Sequence, residues 1–132
     1  MSLRRAIIHQ LRVQVPALGG RVYQAFLAPT GFQTPYATVK FAGEQSAVNI
    51  GFAGSRTIEV YLYRSLDSFV ALDALQQEVI RILNGTTVTD VESGLQFILR
   101  WTGSAGDVID EERKLVGVVV SFNAPTMYEI RR

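Results

Sequence analysis

The sequence contains no cysteine and only one histidine. Without cysteine there can be no disulfide, no thiolate nucleophile and no cysteine-ligated zinc. The one histidine, His9, falls at the edge of a helical pattern, so we expect it to be a surface residue rather than a general base. We therefore predict that the protein is not an enzyme and that it has no catalytic, cofactor-binding or metal-binding residues.

An excess of charge of one sign and long hydrophobic runs are also missing. The 13 Lys and Arg residues balance the 12 Asp and Glu residues to a net charge of +1, so no broad field draws the protein onto DNA or an anionic membrane. No run approaches the ~20 apolar residues of a membrane-spanning helix. The apolar stretch near the N-terminus is broken by His9, Gln10 and Arg12, which argues against a signal peptide. We expect a soluble protein with no membrane partner.

The 132 residues, of which 48% are hydrophobic, fit a single domain over 1–132. A chain of this length can bury about 70% of the surface that it exposes when unfolded. Neither a repeat nor a low-complexity segment interrupts the sequence. One hydrophobic core is therefore expected.

The range Thr57–Gly85 joins a strand pattern directly to the longest helical pattern of the chain. In TIEVYLY the apolar residues Ile58, Val60 and Leu62 recur at every second position, as in a strand with one buried face. The other face carries Glu59, Tyr61 and Tyr63. From 71 to 83 apolar residues return every three or four positions, which predicts an amphipathic helix. This unit should form the centre of the core.

The remaining segments predict a short first helix before Pro16 and several strands. Strands are predicted over 21–26, 36–41, 57–63, 86–90, 95–102 and 115–122, with Trp101 facing the core. Asn123-Ala124-Pro125 should end the strand at 115–122, and the tail TMYEIRR is either a last edge strand or frayed. Hairpin-length connections around one long helix favour the α+β class: a largely antiparallel β-sheet packed against one long and one short helix. Long flexible loops are expected near 42–56 and 103–114.

These two loops are candidate contact segments. In the first, either a long exposed loop or the tip of a hairpin, Val48, Ile50 and Phe52 alternate well enough to add a strand to a neighbour. The second ends in a dense patch of both charge signs that includes Asp110, Glu111 and Arg113. Its spacing does not match a calcium-binding EF-hand loop, so a solvated charged loop is the better interpretation.

Scattered arginines and the tyrosines at 23, 61 and 63 also allow a nucleic-acid-binding hypothesis. The balanced charge weakens it, and Tyr and Arg are equally typical of protein–protein interfaces. The residues that we predict to lie in an oligomer or partner interface are Glu59, Tyr61, Tyr63, Val48, Ile50, Phe52, Asp110, Glu111 and Arg113.

The order of motifs along nearly the whole chain resembles a known family. A short helix precedes LGGRVYQAFLAPTGFQTPYATV, a strand and the long helix follow, and the apolar strand LVGVVVSFN comes after an acidic segment. Together these resemble the small tail-completion proteins of tailed phages, prophages and phage-derived particles, which include tail terminators and tail-to-head joining proteins. The most telling pieces are Arg21-Val22-Tyr23, Pro29, Pro35-Tyr36 and the Ser65-to-Gly85 helix with its preceding strand. They are packing and turn motifs, so no residue-level function is carried across.

The resemblance implies a virion structural protein without cofactors, made in the cytoplasm of a bacterial host. Such proteins form a homo-oligomeric ring, typically a hexamer, at the tail end of the head–tail junction, where it terminates the tail tube. The implied partners are other copies of the chain, the tail-tube protein and the head or neck connector protein, with DNA only as cargo passing through the ring. The alternatives are a head-completion or neck adaptor protein and a nucleic-acid-binding module. The type of particle, the type of tail, the number of subunits and the face that meets the tube stay open.

Overall fold

The computed structural model describes residues 3–24, 34–45, 55–65, 69–90, 95–112 and 114–129. The elements are α1 (Leu3–Gln14), a 3-10 helix (Pro16–Leu18), β1 (Val22–Gln24), β2 (Tyr36–Gln45), β3 (Ser55–Ser65), α2 (Phe69–Leu83), β4 (Thr87–Asp90), β5 (Leu95–Ile98), β6 (Arg100–Asp110) and β7 (Leu115–Glu129). This architecture confirms the predicted α+β class, with one long and one short α-helix against a mostly antiparallel sheet. Within the described ranges, no helix is long and apolar enough to cross a membrane.

The sheet is organised around β7. Its strand order is β1-β2-β3-β7-β5-β4, with β6 also paired to β7. Among the strand pairs in the described ranges, β1 and β2 alone run parallel to each other. One edge of β7 pairs with all of β3, while the other pairs first with β6 and then with β5. Because β5 and β6 follow each other in the chain, they form with β7 one long hairpin that is interrupted at Leu99.

The hydrophobic core lies on one face of this sheet, against both α-helices. The strand residues Ile58, Val60 and Leu62 are 0% exposed, as the alternating pattern predicts. Their partners on β7 are Phe122, Val120 and Val118. The helices fill this face with Ile7, Ile8, Leu11, Leu72, Leu75, Val79, Ile82 and Leu83. Fully burying one such side chain contributes about 1.5–3 kcal/mol.

The C-terminal end of α2 is tied to the junction between β5 and β6. Gly85 ends the helix with φ 83°, a conformation that favours glycine. Its N–H donates to the Leu99 carbonyl at 2.7 Å, and the Leu99 N–H donates to the Thr86 carbonyl at 2.9 Å. The Thr86 hydroxyl in turn donates to the Ile82 carbonyl at 2.6 Å. These bonds explain why the ladder with β7 is interrupted at Leu99.

The structure corrects the loops predicted near 42–56 and 103–114. Residues 103–110 are not a loop but most of β6, which pairs with β7 over Arg100–Asp110. Of the described residues that follow, 111, 112 and 114 lie in a turn, and Lys114 has φ 59°. The hairpin between β2 and β3 is also longer than predicted, since β2 extends to Gln45 and β3 begins at Ser55. The intervening residues lie outside the described ranges.

Two predictions about the C-terminal strands are wrong. Trp101 is 43% exposed rather than in the core, and its indole N–H donates to the Ser104 hydroxyl at 3.2 Å. Asn123-Ala124-Pro125 does not end β7, which runs on to Glu129. Pro125 is tolerated because the outer edge of β7 changes its partner there, from β6 to β5.

Candidate interaction surfaces

The sheet face opposite the helices carries an aromatic row. Strand alternation places Tyr61 and Tyr63 on this face, and the ladder register sets Tyr36 opposite Tyr63. The same register sets Thr38 opposite Tyr61 and Lys40 opposite Glu59. We refer to the surface formed by Tyr23, Tyr36, Lys40, Glu59, Tyr61 and Tyr63, together with the neighbouring residues of β7, as the open face.

The rings on the open face pack against one another. Tyr36 and Tyr63 are stacked, with 4.7 Å between their centroids and 18° between their planes. Tyr61 lies 6.4 Å from Tyr63 and Tyr23 lies 6.4 Å from Tyr36, so the row crosses β1, β2 and β3. Aromatic pairs of this kind contribute about 0.5–1.5 kcal/mol beyond the area that they bury. Tyr36 is buried, at 3% exposed, and the other three tyrosines are half-buried, so the row is packed into the sheet and presents only part of each ring.

Gly117 allows Tyr63 to lie across the middle of the sheet. The two residues are register partners on β7 and β3. A Cβ atom at Gly117 would meet the Tyr63 ring at 3.0 and 3.1 Å and the Leu62 carbonyl oxygen at 3.3 Å, all tighter than ordinary contact. Because Gly117 has no side chain, the Tyr63 ring can lie directly over the backbone of β7.

The polar end of the row is Tyr61, whose hydroxyl donates to Glu59 Oε1 at 2.9 Å. Burial, together with the hydrogen bond to Glu59 and the nearby charge of that carboxylate, raises the pKa of Tyr61 to about 12. The phenol therefore stays neutral at physiological pH. It holds the Glu59 carboxylate on the open face beside Lys40, its cross-strand neighbour.

A second surface is formed by β6. Of the five large hydrophobic residues exposed within the described ranges, three lie on this strand: Trp101 at 43%, Val108 at 55% and Ile109 at 51%. In the described part of the chain, β6 pairs through one edge only. The strand ends at Asp110, and we call Asp110 together with the following turn residues Glu111 and Glu112 the acidic turn. Asp110 is half-buried and already has a polar partner, while Glu111 and Glu112 are exposed.

The acidic turn resembles a cation site in composition only. Among the described residues, no group of three or more His, Cys, Asp or Glu side chains could hold a metal ion. A dense acidic sequence is therefore not accompanied by convergent oxygen ligands in this region.

A third surface, the basic cleft, lies between α1 and β1. It has a volume of about 330 Å³ and is lined by Arg5, Ile8, His9, Arg12 and Gln24. Arg5, His9 and Arg12 lie together in the cleft because positions 5, 9 and 12 follow helical spacing and share one face of α1. Arg12 is oriented by two hydrogen bonds to the Val22 carbonyl, from Nε at 3.0 Å and Nη2 at 2.6 Å. His9 is exposed, as the sequence predicts.

The structure brings some of the predicted interface residues together. Glu59, Tyr61 and Tyr63 share the open face, and Asp110 lies at the same end of the sheet as Tyr63, since the two pair with Leu115 and Gly117 of β7. Glu111 follows Asp110 in the acidic turn. The other predicted interface residues, Val48, Ile50, Phe52 and Arg113, lie outside the described residues.

Sequence reasoning missed the exposed apolar residues of β6 and the basic cleft. The spacing of Arg5, His9 and Arg12 was a usable signal for the cleft, because it puts all three on one side of α1. No comparable signal marked Val108 and Ile109, because an apolar pair after a glycine-containing segment reads equally well as a buried turn.

No protein-family model matches the sequence, and no curated protein matches it. Solved structures do match. A chain from the virion of a native gene transfer agent particle aligns over 95% of this chain and 94% of its own length, with a TM-score of 0.71 and 22% identity. A second solved protein aligns over 98% of this chain and 94% of its own length, with a TM-score of 0.63 and 14% identity. At these identities the likeness establishes the fold.

Proposed function

We propose that this chain is a structural protein of a phage-derived particle, and that it forms a homo-oligomeric ring that terminates the tail tube and joins the tail to the head or neck. The observation that carries the proposal is the shared fold with a chain of a gene transfer agent virion over 95% of one chain and 94% of the other. The motif order seen in the sequence favours the tail-completion role within such a particle.

The surfaces of the molecule suit assembly. A ring subunit needs a rigid core together with exposed contacts toward its neighbours. The row of tyrosines on the open face supplies broad, rigid and amphipathic side chains, which are enriched at protein–protein contacts. We assign the open face, with Glu59, Tyr61 and Tyr63, to contact with other virion subunits. The proposal includes no enzymatic step, and DNA passes the ring as cargo.

Removal of the gene from the particle's genome tests the role directly. We expect tails of abnormal length that are not joined to heads, and normal particles when the intact gene is restored. Electron microscopy of purified particles measures both. Tails of normal length beside heads that leak DNA would instead assign the chain to head completion. Particles that are normal without the protein would overturn the proposal.

The open face is tested by a double substitution, Tyr61→Ala with Tyr63→Ala. Both side chains point away from the core, so we expect the variant to fold and the complemented particles to be joined less efficiently. The matched control is Val70→Ala, since Val70 is 84% exposed on α2 and lies far from this face. If the folded double variant joins tails as well as the control does, the contact lies elsewhere.

A further inference from the structure

The basic cleft and the acidic turn lie at opposite edges of the same sheet. The cleft borders β1, which begins the strand order, while the turn ends β6, which is separated from β1 by β2, β3 and β7. A contact between two different surfaces at opposite edges of one molecule is heterologous. Repetition of such a contact produces a closed ring when the rotation between subunits closes.

The charges of the two surfaces are complementary. Helix α1 contains Arg4, Arg5 and Arg12 and no acidic residue. Two of these arginines lie in the first turn, where the helix dipole disfavours cations. The acidic turn supplies three carboxylates, two of them on exposed residues, and Arg113 and Lys114 follow it in the sequence, which leaves the segment 110–114 with a net charge of −1 (three negative and two positive residues). Carboxylates brought by a second molecule would add a favourable contact to the interactions that Arg5 and Arg12 already make within their own molecule.

Apolar residues accompany the charges on both surfaces. Val108 and Ile109, which directly precede the acidic turn, are 55% and 51% exposed. Val13 is 63% exposed and lies one helical turn after His9, which lines the cleft. Burial of these residues on association would be favourable, whereas in an isolated molecule they contact water.

We propose that the end of β6 and the acidic turn of one copy dock on the α1–β1 edge of the next, with the turn seated in the basic cleft. The occupant of the cleft is therefore a second copy of this chain. The inference rests on the proposed function, in which copies form a ring. It goes further by assigning the two sides of the subunit contact and by making that contact head-to-tail.

Reversal of charge on each side tests the pairing. Sedimentation of the purified full chain measures assembly at a series of protein and salt concentrations. We expect Arg5→Glu alone, and Glu111→Lys alone, to raise the subunit concentration needed for assembly about ten-fold or more, since removing a complementary charge weakens a contact by this order. The two substitutions together should restore assembly, because the attraction is then re-formed with opposite sign.

Matched controls reverse exposed charges away from both surfaces. Arg81→Glu and Asp73→Lys on α2 should leave assembly unchanged. If Arg5→Glu fails to fold, as judged by circular dichroism, His9→Glu makes the same test from the exposed side of the cleft. Assembly should also weaken as salt is raised, because the charges at the rim are screened.

The outcomes separate the two proposals. If the wild-type chain assembles and the charge reversals act no differently from their controls, the docking proposal is overturned and the ring function stands. If the wild-type chain stays monomeric under all conditions, also with tail-tube subunits present, both are overturned. If Arg5→Glu leaves assembly intact but abolishes salt-dependent binding of a short DNA duplex, the cleft takes nucleic-acid phosphates and the docking proposal fails.

Discussion

Substitution of Gly117 by alanine should destabilise the fold through one identified contact. The new Cβ would lie 3.0 Å from the Tyr63 ring, whereas ordinary contact begins at 3.4 Å, so the ring must move by about 0.4 Å. The Tyr63 ring has little room to move, because the Tyr36 ring of the neighbouring strand β2 is stacked on it with 4.7 Å between the two ring centroids. The Leu62 carbonyl at 3.3 Å belongs to a paired strand and cannot yield.

We expect this overpacking to lower the free energy of unfolding by about 1–2 kcal/mol, after a gain of about 0.4–1 kcal/mol from the reduced entropy of the unfolded chain. For a domain of this size the Tm should fall by about 4–8 °C. Urea denaturation measures the free energy and calorimetry the Tm. The same substitution in a Tyr63→Ala background should cost clearly less, because the ring is gone and only the contact with the Leu62 carbonyl at 3.3 Å remains. An equal cost in both backgrounds would refute the assigned contact.

The other stability predictions concern Tyr61 and the core. Because the pKa of Tyr61 is raised to about 12 in the folded state and is 10.0 in the unfolded state, stability should be unaffected below pH 10 and fall as the pH rises from 10 to 12. The loss should stay below about 2.7 kcal/mol, since solvent screens a half-buried group. Glu59→Gln should lower this pKa in a spectrophotometric titration read against Tyr61→Phe; an unchanged pKa would contradict the role of the carboxylate. In urea denaturation, Leu62→Ala should lower the free energy of unfolding by about 2–5 kcal/mol, because Leu62 is buried. Val70→Ala should lower it by less than about 0.5 kcal/mol, because Val70 is exposed. Similar losses for the two variants would contradict the assignment of the core.

The elements with regular apolar spacing were predictable from the sequence. In β3 the alternation of Ile58, Val60 and Leu62 identified both the strand and its buried face, and the helical spacing of α2 identified its extent. These patterns arise because each element buries one side against the same core. The open face followed from the same reasoning, since the residues between the buried ones must point the other way.

The elements whose structure depends on a distant partner were not predictable. The segment from Gly103 to Asp110 has little apolar alternation because most of its side chains contact water on both faces, so it reads as a loop. It is a strand because β7, which follows it, offers a complete edge for pairing. The extension of β7 past Pro125 likewise depends on the change of partner from β6 to β5. Neither fact is encoded in the local spacing of residues.

The position of β7 in the chain affects how the protein can fold during its synthesis. Strand β7 pairs with β3 on one edge and with β5 and β6 on the other, yet it follows all of these elements in the sequence. While the ribosome is still translating the residues before Leu115, β3 lacks its partner on one side, and α2 faces an incomplete sheet. The nascent chain therefore presents apolar surface and an unpaired strand edge until β7 emerges. Because the core is complete only once β7 has been synthesised, a chaperone that binds unfolded chains has a defined interval in which to act.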